Sequence, residues 1–375
     1  MINNNRLALK YSCFFCTSLL FFLSYLDILR TNIVLGTGIK YIEYSLYLFM
    51  ALFCFINPLK IRKREFYIWT ISVIVILVSS ILSRDFALCK AVILMFFLRG
   101  SDFKQICKRL FYATFLTLAI GIVLYALDIS NSGVTRRGYT ALGFYHPNSV
   151  GLLITLMVLS FVLWKENYVN KKNIWISSIF GFLAFAITGS RTSLMILIVV
   201  PIIYLICGHF KNLNKSNSIF KYILYNFPSI LYVVSYMAAK YVLESEVLAI
   251  IDKMVSLRLS LFNIELVKYG VSIIGKDVEL VYTDNVQSQL WGGFFDSITV
   301  DSTYMIYILK LGIMSYLVMA FVFYCSIKKA FANNDFMIAV VSIALAIYGF
   351  YEGNFIQPYC FFTCFYCICK KSCLD

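Results

Sequence analysis

Long apolar runs separated by short polar segments govern what this chain can fold into. A helix crosses about 30 Å of hydrocarbon with about 17–25 mostly apolar residues. Twelve stretches meet or approach that length: 11–29, 41–57, 66–82, 86–98, 110–127, 148–164, 174–189, 192–207, 222–238, 303–325, 336–351 and 355–369. The fourth is short. The one long polar segment, 239–302, lies between the ninth and the tenth. No period-two alternation recurs, which disfavours a transmembrane β-barrel. No internal repeat is visible, and the first run has no small-residue cleavage site and is long enough to stay as a span. Composition agrees: 61% of the 375 residues are apolar and 14% charged, against about 45–50% and 25% for soluble domains. The expected fold is an all-α polytopic membrane protein of about twelve transmembrane helices, one integral membrane domain over 1–375, with 239–302 as a long extracytoplasmic loop.

The formal net charge of +14 could point to nucleic acid, but the positive-inside rule gives it another meaning. With the N-terminus in the cytoplasm, every inside segment carries at least two Lys or Arg. Examples are Lys60, Arg62, Lys63 and Arg64; Arg99, Lys104, Lys108 and Arg109; and Lys370 with Lys371. Short outside loops carry at most two, and nine of the 19 acidic residues fall in 239–302. The positive excess is therefore a topology signal with both termini cytoplasmic, and no nucleic-acid partner is expected. All 12 cysteines fall in spans or inside segments. Cys360, Cys364, Cys367, Cys369 and Cys373 look like a metal cluster, but no His or carboxylate joins them, and cysteine is also a small apolar residue suited to a span. No metal or cofactor is expected: HExxH, Walker, GxGxxG and GxSxG patterns are absent.

Unusual polar residues gather on the outer side. Residues 128–151 read DISNSGVTRRGYTALGFYHPNSVG. Arg136 and Arg137 sit in a Gly-rich turn, and His146-Pro147-Asn148 opens the sixth span, where Pro and Asn suit a helix start. This is either an ordinary capped entry with two solvated arginines, or a cationic patch for an anionic partner. TGSRTS (188–193) turns tightly from the seventh span into the eighth, leaving Arg191 at the boundary. It can snorkel to headgroups or offer its fork to phosphate oxygens. Lys90, Lys310, Asp27 and Glu43 lie within spans, all toward the outer half, where ionisable residues face a bundle interior or snorkel. In DKMVSLRLSLFNIELVKYG (252–270), Ile250, Met254, Leu257, Leu261 and Ile264 predict one amphipathic helix face. Arg258 then either faces the cavity or pairs with Glu265. Asp301 precedes the tenth span, and Glu352 and Asn354 follow the eleventh.

These features resemble the bacterial polysaccharide repeat-unit polymerases of the Wzy type, within the O-antigen polymerase and ligase superfamily. The resemblance covers nearly the whole chain in topology. Its motifs are RRGYTALGFYHPNSVG (136–151), TGSRTS (188–193) and VDSTYMIYILKLG (300–312), where Ser302 replaces the family's Asn. It implies a glycosyltransferase-type enzyme in the bacterial plasma membrane. Such an enzyme would transfer a growing glycan from undecaprenyl pyrophosphate onto the next lipid-linked repeat unit, at the external face, to build O-antigen, capsule or exopolysaccharide. A flippase or chain-length regulator would be an associated partner. In that reading Arg136, Arg137, Arg191, Arg258 and Lys310 bind the pyrophosphate, and His146 or Asp301 serves the acceptor hydroxyl as base. An O-antigen ligase of the same superfamily and a lipid-linked oligosaccharide flippase or transporter are the alternatives.

Overall fold

The computed structural model describes residues 16–22, 33–56, 63–128, 141–144, 147–165, 173–212, 218–254, 257–279, 281–282, 298–299, 301–353, 357–358 and 360–369. Their regular structure is helical apart from one two-residue antiparallel pair, β1 (Val281–Tyr282) with β2 (Ile298–Thr299). Residues 16–22 are helical, and the helices with both ends described begin with α1 (Ile33–Ile56), α2 (Lys63–Ser83), α3 (Ala87–Phe97), α4 (Phe103–Ala126), α5 (Pro147–Trp164), α6 (Ile176–Thr188) and α7 (Arg191–Asn212). They continue as α8 (Ser218–Tyr225), α9 (Phe227–Tyr241), α10 (Glu246–Met254), α11 (Arg258–Tyr269), α12 (Thr303–Ile306), α13 (Ile313–Asn333) and α14 (Phe336–Tyr351). Among the described residues, α4 and α13 are long and apolar enough to cross a membrane; shorter apolar helices lie at Tyr67–Ser83, Ala87–Phe97, Asn148–Trp164, Ile176–Thr188, Arg191–Ile206 and Phe336–Tyr351.

Several helices are inverted relative to those of a water-soluble protein. On α2, Tyr67, Ile71, Ile74, Val78 and Ile81 are exposed at helical spacing, while Ser72, Ser79, Ser80 and Ser83 are buried. On α6, Ile176, Ile179, Phe182, Leu183 and Ile187 face outward, and Ser177, Ser178, Gly181, Ala184 and Thr188 face inward. Small inward residues let backbones approach closely: the Cα hydrogen side of Gly181 lies against Leu197 on α7, where a Cβ would meet Leu197 Cβ at 3.0 Å. The outward apolar stripe gains nothing in water, whereas small inward residues are the pattern of helix contacts in lipid.

Among the described residues the expected spans depart from a continuous α-helix at three places, the ninth, tenth and twelfth; of the first, 11–29, residues 16–22 are described and are helical. The fourth, expected to be short, is α3, 11 residues and about 16 Å long, packed against α1 and α2. Its Lys90 pairs with Glu43 on α1 at 3.1 Å, with both side chains largely buried. The ninth is divided at Asn226 because Pro228 has no N–H to continue a helix but suits a first turn, so α8 stops and α9 begins. The tenth is broken: α12 runs into a π turn at Tyr307–Leu311, Gly312 takes φ 92°, and α13 starts afterwards. The twelfth is not an α-helix among the described residues but a six-residue 3₁₀ segment, Phe362–Cys367.

Each break satisfies its backbone locally, as a buried chain must. At the tenth, residues 272–276 dock on the gap. Ser272 N donates to Ile308 O at 2.8 Å, Lys276 N to Lys310 O at 2.8 Å, Ile313 N to Ser272 O at 3.0 Å and Met314 N to Ile273 O at 2.9 Å. Ser79 Oγ on α2 donates to Leu311 O at 2.5 Å. At the C-terminal segment, Lys329 on α13 donates to the carbonyls of Tyr366 (3.0 Å), Cys367 (3.3 Å) and Cys369, and Ser326 Oγ to Thr363 O at 2.8 Å. Residues 360–366 are buried throughout, so protein surrounds this irregular chain, the condition under which non-helical backbone is tolerated in an apolar medium. Replacing Lys329 with Met is expected to strip those carbonyls of their donor and cost about 1–3 kcal/mol, read as a lowered melting temperature of the detergent-solubilised protein.

The long polar segment is partly helical. The single helix expected over 252–270 is interrupted at Leu257, whose φ of 58° is left-handed. The reason is Asp252, which is buried and caps α11. Its Oδ1 accepts from Leu259 N at 2.7 Å and its Oδ2 from Ser260 N at 3.2 Å and from the Ser260 hydroxyl. A carboxylate at a helix N-terminus meets both the unpaired N–H groups and the positive end of the dipole. Ala238, Ala239, Val242, Leu259, Phe262, Met305, Ile308 and Leu309 form a separate small core. That core fixes α11 against α9 and α12, and so fixes where Arg258 begins.

Candidate functional site

Four chain segments meet where α7 begins and α14 ends. The turn into α7 is set by Gly189, whose φ of 65° closes α6. Ser190 and Ser193 share a hydrogen bond of 2.9 Å and press on α5 at Gly151, where a Cβ would lie 2.6 Å from Ser190 Oγ and Ser193 Oγ. This positions Arg191 as the first residue of α7, with an exposed side chain, and Thr192 as the second, half-buried. Helices α7 and α14 pack along each other. Thr192 thereby reaches Glu352, just past the end of α14, and its hydroxyl donates to Glu352 Oε1 at 3.0 Å. The Thr303 hydroxyl donates to Glu352 O at 2.8 Å, tying in the start of α12.

The fourth segment is α11. Arg258 Nη1 donates to Tyr351 O, and Nη2 lies 3.5 Å from Asp301 Oδ2. The ion pair of Arg258 is thus to Asp301 rather than to Glu265, one of the two alternatives, because Leu257 breaks the helix and turns Arg258 toward α14. Arg191 has no hydrogen-bond or ion-pair partner among the described residues, so its fork is open at the surface.

Glu352 is 5% exposed. Burial, reinforced by the Asp301 carboxylate, raises its pKa to about 7; Arg258 and the Thr192 hydrogen bond oppose the rise. The folded chain therefore holds this proton more tightly than the unfolded chain. Between about pH 4.5 and 7 the unfolded state loses it first, and folding stability falls as pH rises. Wild-type protein is expected to melt at progressively lower temperature across that window, and Glu352→Gln to lose this component of the slope.

The basic residues singled out in the sequence are not all brought together. Arg258 and Asp301 join the cluster, and Arg191 stands one residue from its Thr192 edge. Lys310 is held elsewhere, 3.6 Å from Asp85 Oδ2 in the turn between α2 and α3. Arg136, Arg137 and His146 lie outside the described residues. Sequence reasoning left out Thr192, Asp252 and Glu352 as members of the site. Glu352 had a visible signal, an acid at the end of an apolar run, but its partners are 160 residues away in the case of Thr192 and 49 away in the case of Thr303. Among the described residues no three His, Cys, Asp or Glu side chains group to hold a metal ion.

No family model matches the chain, and neither a curated protein nor a solved structure is found similar to it. The functional reading therefore stands on the residues and their arrangement.

Proposed function

We propose that this chain is a polytopic membrane glycosyltransferase that polymerises lipid-linked oligosaccharide repeat units into surface polysaccharide. It would use an undecaprenyl-pyrophosphate-linked donor at the external face of the bacterial plasma membrane. The observation that carries the reading is the open guanidinium of Arg191 beside the Arg258–Asp301–Glu352–Thr192 cluster. A membrane setting is supported by the inverted helices α2 and α6. In this topology about twelve membrane-traversing segments, some of them broken or short, connect cytoplasmic termini, and 239–302 is external. A flippase or chain-length regulator would act alongside.

The leaving group in such a reaction is a pyrophosphate, whose developing charge needs preorganised cations. Arg191 serves this best, since Arg258 is engaged by Asp301 and Tyr351, and Lys310 by Asp85. Arg136 and Arg137 remain sequence-level candidates for the same role, as does His146 for the base. Asp301, ion-paired to Arg258, is better suited to orient that guanidinium than to take a proton.

Purified protein in liposomes, given lipid-linked repeat units, tests the reading. A ladder of products supports polymerisation; a single transfer to a different acceptor indicates a ligase. A transporter is the second reading, favoured by the helix break at Gly312, since discontinuous helices line many transport sites. It predicts movement of the lipid-linked sugar across the bilayer with no covalent change. Arg191→Lys keeps the charge but removes the bidentate fork; its polymerisation rate is expected to fall about tenfold or more, and an unchanged rate would remove Arg191 from phosphate binding.

A further inference from the structure

Resting on the transfer reading above, we infer that Glu352 is the proton acceptor for the attacking sugar hydroxyl, reached through the hydroxyl of Thr192. The geometry is a two-step path from surface to interior. Glu352 is 5% exposed, too deep to meet a glycan directly. Thr192 is half-buried, one residue from exposed Arg191, and its hydroxyl already points at Glu352 Oε1 at 3.0 Å. A threonine hydroxyl both accepts and donates, so it can take a proton on its outer side while passing its own inward.

The step balances without a metal or a redox partner. The acceptor oxygen forms a bond to the anomeric carbon of the donor as the bond from that carbon to the pyrophosphate oxygen breaks. The pyrophosphate leaves with the electron pair beside Arg191. The acceptor proton moves to Thr192 Oγ1 while the Thr192 proton moves to Glu352 Oε1, and Glu352 later returns it to solvent by the same path.

The surroundings of Glu352 suit that task. Arg258 from α11 favours the ionised form, Asp301 before α12 disfavours it, and Cys360 of the C-terminal segment lies within electrostatic range. From α7 the Thr192 hydroxyl reaches the carboxylate, and from α12 the Thr303 hydroxyl holds only the backbone carbonyl. The result is a carboxyl that changes charge near neutrality, where a base is most effective. Among the described residues the Thr192 hydroxyl is the side-chain donor to this carboxylate, so the proton path to it runs through Thr192.

The test is the pH–rate profile of polymerisation by full-length protein in liposomes with lipid-linked repeat units as substrate. Wild type is expected to lose rate on acidification through about pH 7. Glu352→Gln, which keeps an acceptor for Thr192 but cannot take the proton, is expected to lose about 100-fold at pH 8 and to lose the acid limb. Thr192→Val should behave likewise, while Thr192→Ser keeps the limb and most of the rate. A Glu352→Gln protein with wild-type rate and profile overturns the inference. If that variant does not accumulate, the Thr192 pair decides: equal rates and limbs for Val and Ser overturn it. No covalent product from wild-type protein overturns the transfer reading itself, and this inference with it.

Discussion

Replacing Gly312 with alanine is expected to cost about 3 kcal/mol or more, from backbone strain and overpacking together. Gly312 holds φ 92° and ψ 155°, a conformation essentially reserved for glycine. A Cβ there would lie 2.6 Å from Ile274 C and 2.7 Å from Ile273 O. Those atoms are backbone, and their segment, 272–276, is itself tied to 308–314 by the four hydrogen bonds across the break. Nothing can shift without unzipping that ladder. Gly270→Ala is the control: its φ of 69° carries the conformational strain, but nothing lies within 4 Å. Thermal melting of both variants in detergent should show Gly312→Ala much the weaker, and hydrogen exchange at the amides of Ser272, Lys276, Ile313 and Met314 should accelerate in it alone. Equal losses would mean that the docked segment 272–276 does not depend on the close approach.

Replacing Arg258 with alanine is expected to lower transfer near neutral pH by leaving more of Glu352 protonated, with a smaller effect on stability. Its side chain is 27% exposed and that of Asp301 41%. The pair is partly screened and worth only about 1 kcal/mol. Its larger consequence is electrostatic, because Arg258 is the cation that favours ionised Glu352, while Asp301 disfavours it. Arg258→Ala should therefore move the acid limb of the rate profile to higher pH, and Asp301→Asn should move it lower. Opposite shifts are what the geometry demands; shifts in the same direction would refute the assignment of Glu352 as the titrating group.

How much was legible in the sequence follows from how local each feature is. Helices α2, α5 and α14 nearly coincide with the apolar runs 66–82, 148–164 and 336–351, because hydrophobic length is written residue by residue. The tight turn at 188–193 was equally visible, since Gly189 lies among the hydroxyls of Thr188, Ser190, Thr192 and Ser193. The break at 307–312 was not. Its causes are the docked segment 272–276 and a serine on α2, and an apolar run looks the same whether or not a distant part of the chain donates to its carbonyls. The C-terminal run misled for the same reason: Lys329 and Ser326 on α13 supply the donors that let 360–369 do without an α-helix. The helix expected over 252–270 failed more instructively: Leu261 of the expected apolar face is buried but Ile250 is 62% exposed, because buried Asp252 caps α11 and the chain turns at Leu257.

By itself the sequence determined where apolar helices form and carried an expectation of which side each loop faces. Apolar runs set where helices form, and the uneven placement of lysine and arginine sets the expected sidedness, because both are sums over local composition. It also put Arg191, Arg258, Asp301 and Glu352 on one side of the expected topology. Only the tertiary structure decided which of these act together. Burial and a 3.0 Å hydrogen bond from Thr192 are properties of two helices packed side by side, and they turn an acid at the end of a span into a carboxyl poised near neutrality. The same packing spent Lys310 on Asp85 and Arg258 on Asp301, leaving Arg191 as the described arginine of this set with an open fork. Charge could be counted along the chain, but charge neutralised by a neighbour could be recognised only in space.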